Sequence, residues 1–116
     1  MSTTAGVLEH HLDAFGNQDL EEVMVDYDES SVVITNNGTH RGLDEIQGLF
    51  EGLFADFDRE GTNITVHMEE VEGDVAYITW DGETPDNDYE FATDTFVIED
   101  GVITTQTFAG VIEPKE

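Results

Sequence analysis

The chain has 116 residues, of which 28 are Asp or Glu and only 3 are Lys or Arg, for a formal net charge of −25. That length predicts one domain over residues 1–116, and a hydrophobic share of 38% lets it fold despite the charge. Without cysteine there is no disulfide framework or thiol nucleophile, and so few cations exclude nucleic acid and anionic lipid as partners.

The first segment, about residues 3 to 16, sets Leu8, Leu12 and Phe15 at helical spacing. His11 lies beside that stripe and His10 faces solvent. Glu9, His10, His11 and Asp13 interrupt the apolar residues, so no export signal is read, and a cytoplasmic location follows. Asn37-Gly38-Thr39 and Asn63-Ile64-Thr65 are then chance matches to glycosylation acceptors. No run of about 18 apolar residues could span a membrane. Gly16-Asn17-Gln18 breaks the helix. Asp19 caps a second one, with Glu22 as the reciprocal partner of a capping box. Its inner face is Leu20, Val23, Met24 and Tyr27.

Ser31-Val32-Val33-Ile34-Thr35 reads as a strand, Asn37-Gly38 as a two-residue hairpin turn, and Thr39-His40-Arg41 as the return. Gly42 leads into a third helix, where Ile46, Leu49, Phe50, Leu53, Phe54 and Phe57 follow the i, i+3, i+4 rule. Asp44 and Glu45 suit its positive first turn. Gly48 and Gly52, on the other side, suggest a close backbone approach. Strands are expected at Asn63 to Val71, Val75 to Glu83, Tyr89 to Glu99 and Val102 to Gly110, with turns at Glu72-Gly73-Asp74 and Asp100-Gly101. The predicted class is α+β, with helices covering one face of a curved, mainly antiparallel sheet.

The acids are spread along the chain rather than gathered in a tail. Such a surface repels itself at low salt and is screened at molar salt, where the Debye length is about 3 Å. This pattern resembles the proteins of extreme halophiles.

The order of elements resembles the cone-shaped fold of the nuclear transport factor 2-like superfamily, which includes ketosteroid isomerase and the SnoaL-like polyketide cyclases. The resemblance spans nearly the whole chain. It rests on Phe15 through Asp19-Leu20, on Thr39-His40-Arg41-Gly42-Leu43-Asp44-Glu45-Ile46, and on Thr93-Asp94-Thr95-Phe96 followed by Glu99-Asp100-Gly101-Val102-Ile103. It implies three N-terminal helices on the sheet, an internal pocket and pairing of sheets into a homodimer. Both faces of the Tyr89 to Glu99 segment are apolar, with Phe91 and Val97 on one and Phe96 and Ile98 on the other, which also fits a homodimer. The fold hosts isomerases, hydratases, cyclases, hydrolases and inert modules.

Asp94 shares a strand face with Ala92, Phe96 and Ile98. A carboxyl among apolar neighbours is costly unless protonated, hydrogen-bonded or facing a cavity. A one-residue slip would instead move it to solvent. By resemblance it matches the acid of ketosteroid isomerase that donates a hydrogen bond to a developing oxyanion. The isomerase tyrosine is replaced by His11, and its general-base aspartate falls near Thr35, so the steroid isomerase mechanism does not carry over. A cyclase-like proton transfer on Asp94 with His11 stays compatible. Dehydratase-like relatives use pocket histidines, and His67 is positioned for such a role. Neither Arg41 nor Arg59 suits the carboxylate–Arg–carboxylate site of the fold's epoxide hydrolases.

The expected ligand is small, hydrophobic or amphipathic, held by Phe15, Tyr27, Thr35, Phe50, Phe54, His67, Trp80 and Phe96. Whether Tyr77 or Trp80 points inward depends on register. His40 reads as a sheet-edge residue. No metal-binding histidine motif occurs, Asp86, Asp88 and Glu90 lack the features of a calcium loop, and no cofactor is expected. The alternatives are a non-catalytic ligand-binding or dimerisation module and a protein-docking adaptor of the same fold. An adaptor would show an exposed apolar patch beyond any dimer interface.

Overall fold

A computed structural model describes residues 3–115. Its elements run α1 (Thr4–Gly16), α2 (Leu20–Val25), β1 (Val32–Thr35), β2 (Gly38–Arg41), α3 (Gly42–Phe57), β3 (Asn63–Glu72), β4 (Val75–Glu83), β5 (Asn87–Glu99) and β6 (Val102–Pro114). The six strands form one sheet in the order β2-β1-β6-β5-β4-β3. All neighbours are antiparallel except β1 and β6, which run parallel. The fold is α+β, as expected: three helices lie on one face of a curved, mixed sheet. Among the described residues, no helix is long and apolar enough to cross a membrane.

The Thr3 side chain accepts the Gly6 N–H at 3.0 Å and starts α1, satisfying a backbone donor that the first turn leaves unpaired. The buried face of α1 is Val7, Leu8, His11 and Ala14, while Leu12 and Phe15 are half-buried. His11 is therefore central to the packed face rather than beside it. Asp19 caps α2 by accepting the Glu22 N–H at 3.2 Å. The reciprocal half of the expected capping box is not made: the Glu22 carboxylate turns to His10, 3.0 Å away.

The first hairpin turns one residue earlier than expected. Thr35 pairs with Gly38, leaving Asn36-Asn37 as the loop, and the Thr35 hydroxyl accepts the Asn37 N–H at 3.1 Å. That side-chain turn competes with the usual two-residue type. Arg41 precedes α3 without a side-chain cap; instead Glu45 accepts the Arg41 N–H at 2.9 Å and Glu29 accepts the Leu43 N–H at 3.2 Å. Ile46, Phe50, Phe54 and Phe57 of α3 are buried.

The expected close approach at Gly48 and Gly52 is absent: a Cβ built on either would meet nothing within 4 Å. Close approach occurs at Gly82, where a Cβ would lie 2.5 Å from the Asn63 carbonyl oxygen, beside the irregular pairing of β4 with β5. Strands β3, β5 and β6 extend beyond the apolar runs that predicted them, β6 as far as Pro114. Ladder hydrogen bonds carry the pairing into those polar ends.

Burial alternates along β4 and β5. Ala76, Ile78 and Trp80 face inward with Ala92, Asp94, Phe96 and Ile98. Tyr77 falls on the opposite face. The core between the helices and this inner face includes Val23, Val33, Ile46, Phe57 and Ile103, each at most 2% exposed.

Candidate functional site

The inner face of the sheet and the apolar faces of α1 and α3 enclose a cavity of about 260 Å³. Phe15 from α1 and Phe50 from α3 close one side; Trp80, Phe96 and Phe108 come from β4, β5 and β6. Thr35, Asn36 and Asn37 bring the first hairpin to the same cavity. Asp94 and His11 both line it, and Asp94 is the one carboxylate among its described lining residues.

Asp94 is 7% exposed. Its Oδ2 accepts the Trp80 indole N–H at 2.9 Å, and its Oδ1 accepts the Gln106 amide N–H at 3.0 Å. The Tyr27 hydroxyl donates to Gln106 Oε1, which orients the amide so that its nitrogen faces Asp94. The register produces this: Gln106 pairs with Phe96, and Phe108 with Asp94, on neighbouring strands. Burial pushes the Asp94 carboxyl up to about 6, against the opposing pull of the Trp80 and Gln106 hydrogen bonds. A carboxyl poised near neutrality is suited to exchanging protons with a substrate.

His11 is buried at 4% exposure, edge-on to Tyr27, Phe50 and Phe96 at ring separations of 6.0, 5.9 and 5.2 Å. Burial, and to a lesser extent the His10 charge, lowers its imidazole to about 4, so it is neutral at physiological pH. Its Nδ1 has no hydrogen-bond partner and lies 3.9 Å from Asp26 Oδ2. Asp26 is itself buried and is held by His10, whose Nδ1 is 2.9 Å from both carboxylate oxygens. His10 is thus a bridge rather than a free surface residue. Hydrogen bonds to Asp26 and then Glu22 raise its imidazole above the usual range.

The other expected site residues divide clearly. Phe15, Thr35, Phe50, Trp80 and Phe96 line the cavity. Tyr27 and Phe54 do not: both are buried in the surrounding core, Tyr27 behind Gln106 and Phe54 against Phe15 with ring centres 5.1 Å apart. His67 does not line it either. The pairing of β3 with β4 slips between Val66 and Met68, and His67, in that slip, is exposed and bonded to Asp81. Gln106 was missed, because a glutamine in a run of threonines gives no periodic signal; its role exists only through pairing with β5. Neither Arg41 nor Arg59 lines the cavity, and Arg59 is paired with Asp86. Among the described residues, no group of three or more His, Cys, Asp or Glu side chains could hold a metal ion.

The fold is shared with many solved structures. A candidate ketosteroid isomerase from Kribbella flavida superposes with a TM-score of 0.76 at 15% identity, covering 97% of this chain and 80% of that one. A candidate polyketide cyclase from Sinorhizobium meliloti gives 0.74 at 16% identity, covering 92% and 99%. An LEH-like epoxide hydrolase from M. tuberculosis gives 0.70 at 16% identity, covering 93% and 82%. At such identities the likeness establishes the nuclear transport factor 2-like fold and nothing about substrate. No curated protein sequence matches significantly. The SnoaL-like domain model matches residues 8–106, a span that runs from the first turns of α1 to Gln106 beneath Asp94, and the chain therefore belongs to the SnoaL-like domain family.

Proposed function

We propose that this protein binds a small hydrophobic or amphipathic molecule in the cavity and transfers a proton on it, in the manner of an isomerase, cyclase or dehydratase. The carrying observation is Asp94: a buried carboxyl in an aromatic cavity, held by two neutral donors and titrating near 6. Ionised, it accepts a proton from the substrate; protonated, it returns it. His11, neutral and in the same cavity, is the second group for hydrogen-bonding or proton exchange. Thr35 offers no carboxylate for the steroid isomerase route, and apart from Asp94 none of the other described lining residues does.

The test is deuterium exchange. Small cyclic ketones would be incubated with the protein in D2O and followed by NMR. Incorporation above the buffer rate, abolished by Asp94→Asn, supports the reading. Exchange that survives Asp94→Asn, with an Asp94 pKa at or below the ordinary carboxylate range, removes it. A non-catalytic binding module of the same fold is the second reading, favoured by the absence of a second carboxylate from the cavity lining.

We also propose a cytoplasmic homodimer from a halophile. Among the described residues, no helix covers the outer face of the sheet. From Phe91 to Val97 on β5 and from Thr105 to Val111 on β6, every residue on that face is apolar or a threonine, in a chain with a charge of −25. Phe91 and Val111, paired across the strands, are 53% and 51% exposed. A second copy of the chain is the occupant that fits a charge-free, self-complementary face. Light scattering at molar KCl should read a dimer, and the melting temperature should rise steeply from low to molar salt. A monomer of 12.9 kDa, or a flat melting temperature, would remove the respective proposal.

A further inference from the structure

We propose that the cavity takes an organic cation, a compact apolar body bearing a positively charged nitrogen, with Asp94 as its counter-ion and the surrounding aromatic rings as its walls. This rests on the pocket reading above and names its ligand class, and it does not require turnover.

Charge is the first ground. No Lys or Arg lines the cavity: Arg59 is paired with Asp86, Lys115 with Glu83, and Arg41 is exposed at the edge of α3. His11 is neutral above its depressed titration. Both oxygens of Asp94 accept from neutral donors. Donors on both oxygens favour the carboxylate over the acid, yet among the described residues no cation balances that charge. A buried, unbalanced carboxylate is costly, and a ligand cation removes the cost. The same arrangement repels phosphates, carboxylates and sulfates.

Shape is the second ground. Trp80 stacks on Tyr89 with ring centres 5.6 Å apart, and lies 6.1 Å from both Phe57 and Phe108. The same indole donates its N–H to Asp94. Phe108 is paired directly across from Asp94. Aromatic rings and a carboxylate thus lie together in the lining of one cavity, the combination by which ammonium groups are recognised. A volume of about 260 Å³ lies just below the usual range for ligand pockets and limits the ligand to a body of about one ring.

Trp80 is the single tryptophan, so its fluorescence reports the site directly. The probes are benzyltrimethylammonium, its neutral isostere neopentylbenzene, and phenylacetate. The expected result is saturable quenching by the ammonium, at least tenfold weaker affinity for the neutral isostere, and none for phenylacetate. Asp94→Asn should cost the ammonium at least tenfold and abolish its advantage over the neutral isostere. Equal or tighter binding of the neutral probe overturns the cation and leaves the pocket standing. Silence from all three overturns both. The comparison of probes on the wild-type protein stands even if the variant does not fold.

Discussion

Asp94 and Asp56 both accept hydrogen bonds from neutral side chains, yet they titrate in opposite directions. Asp56, half-buried near the end of α3, accepts from the Thr84 hydroxyl at 2.8 Å, the Asn87 amide at 3.1 Å and the Tyr89 hydroxyl at 2.8 Å. Partial burial works to raise its carboxyl, but those three bonds, with the Arg59 charge, outweigh it and hold it below the usual range. Asp94 has two donors and much deeper burial, and burial wins. The lesson is one of proportion. Three donors at a wet edge make a carboxylate a brace, here tying α3 to the β4–β5 connection. Two donors in an apolar cavity leave a carboxyl that can change protonation near neutrality.

The largest expected effect separates these two sites by pH. The Asp94 folded value is raised, so its contribution favours folding below about 3.8 and fades as pH rises through about 6, a swing of ~3 kcal/mol. His11 works oppositely: lowered to about 4, its contribution is full above the unfolded value and fades by a similar ~3 kcal/mol as pH falls toward 4. The two slopes overlap and nearly cancel in the wild-type protein. Asp94→Asn should therefore unmask a stability loss on acidification between pH 6 and 4 in urea denaturation. Parallel wild-type and variant profiles would place Asp94 at an ordinary carboxylate value.

Next in size is the brace. Asp56→Ala leaves the fully buried Thr84 hydroxyl, Asn87 and Tyr89 without their acceptor, at a cost of about 2 kcal/mol. Because the Asp56 folded value is lowered, its charge-dependent share is present at neutral pH and lost as pH falls below 3.8 through that value. The variant should lose stability at pH 7 while keeping any probe binding in the cavity. Lost binding with an intact fold would show that the two regions are coupled.

The smallest effect lies away from both. Gly48 and Gly52 are exposed within α3 with open space around them, so Gly48→Ala and Gly52→Ala should each stabilise by about 1 kcal/mol. A melting temperature that falls instead would mean that this side of α3 is covered in the assembled protein.

The α+β class, the three helices, the inward reading of Asp94 and its company of Phe96 and Ile98 were all legible in the sequence, because strand alternation and helical spacing are local rules. The membership of Phe15 and Phe50 in one cavity followed from the family resemblance, whereas the choice of Trp80 over Tyr77 waited on the register of β4. Other features depended on partners distant in the chain. His67 lies outside the cavity because Val66, paired with Trp80, takes the cavity-facing position and alternation turns the next residue outward; only the pairing with β4 fixes that parity. Gln106 became the second donor to Asp94 only through the register of β5 against β6 and the Tyr27 hydroxyl 79 residues away. His10 turned from surface residue to bridge because α2 carries Glu22 and leads directly to Asp26 beside α1. Sequence periodicity says which face a side chain takes; only the packed tertiary structure decides which donor, ring or charge it meets there, and those meetings set the titration of Asp94 and His11.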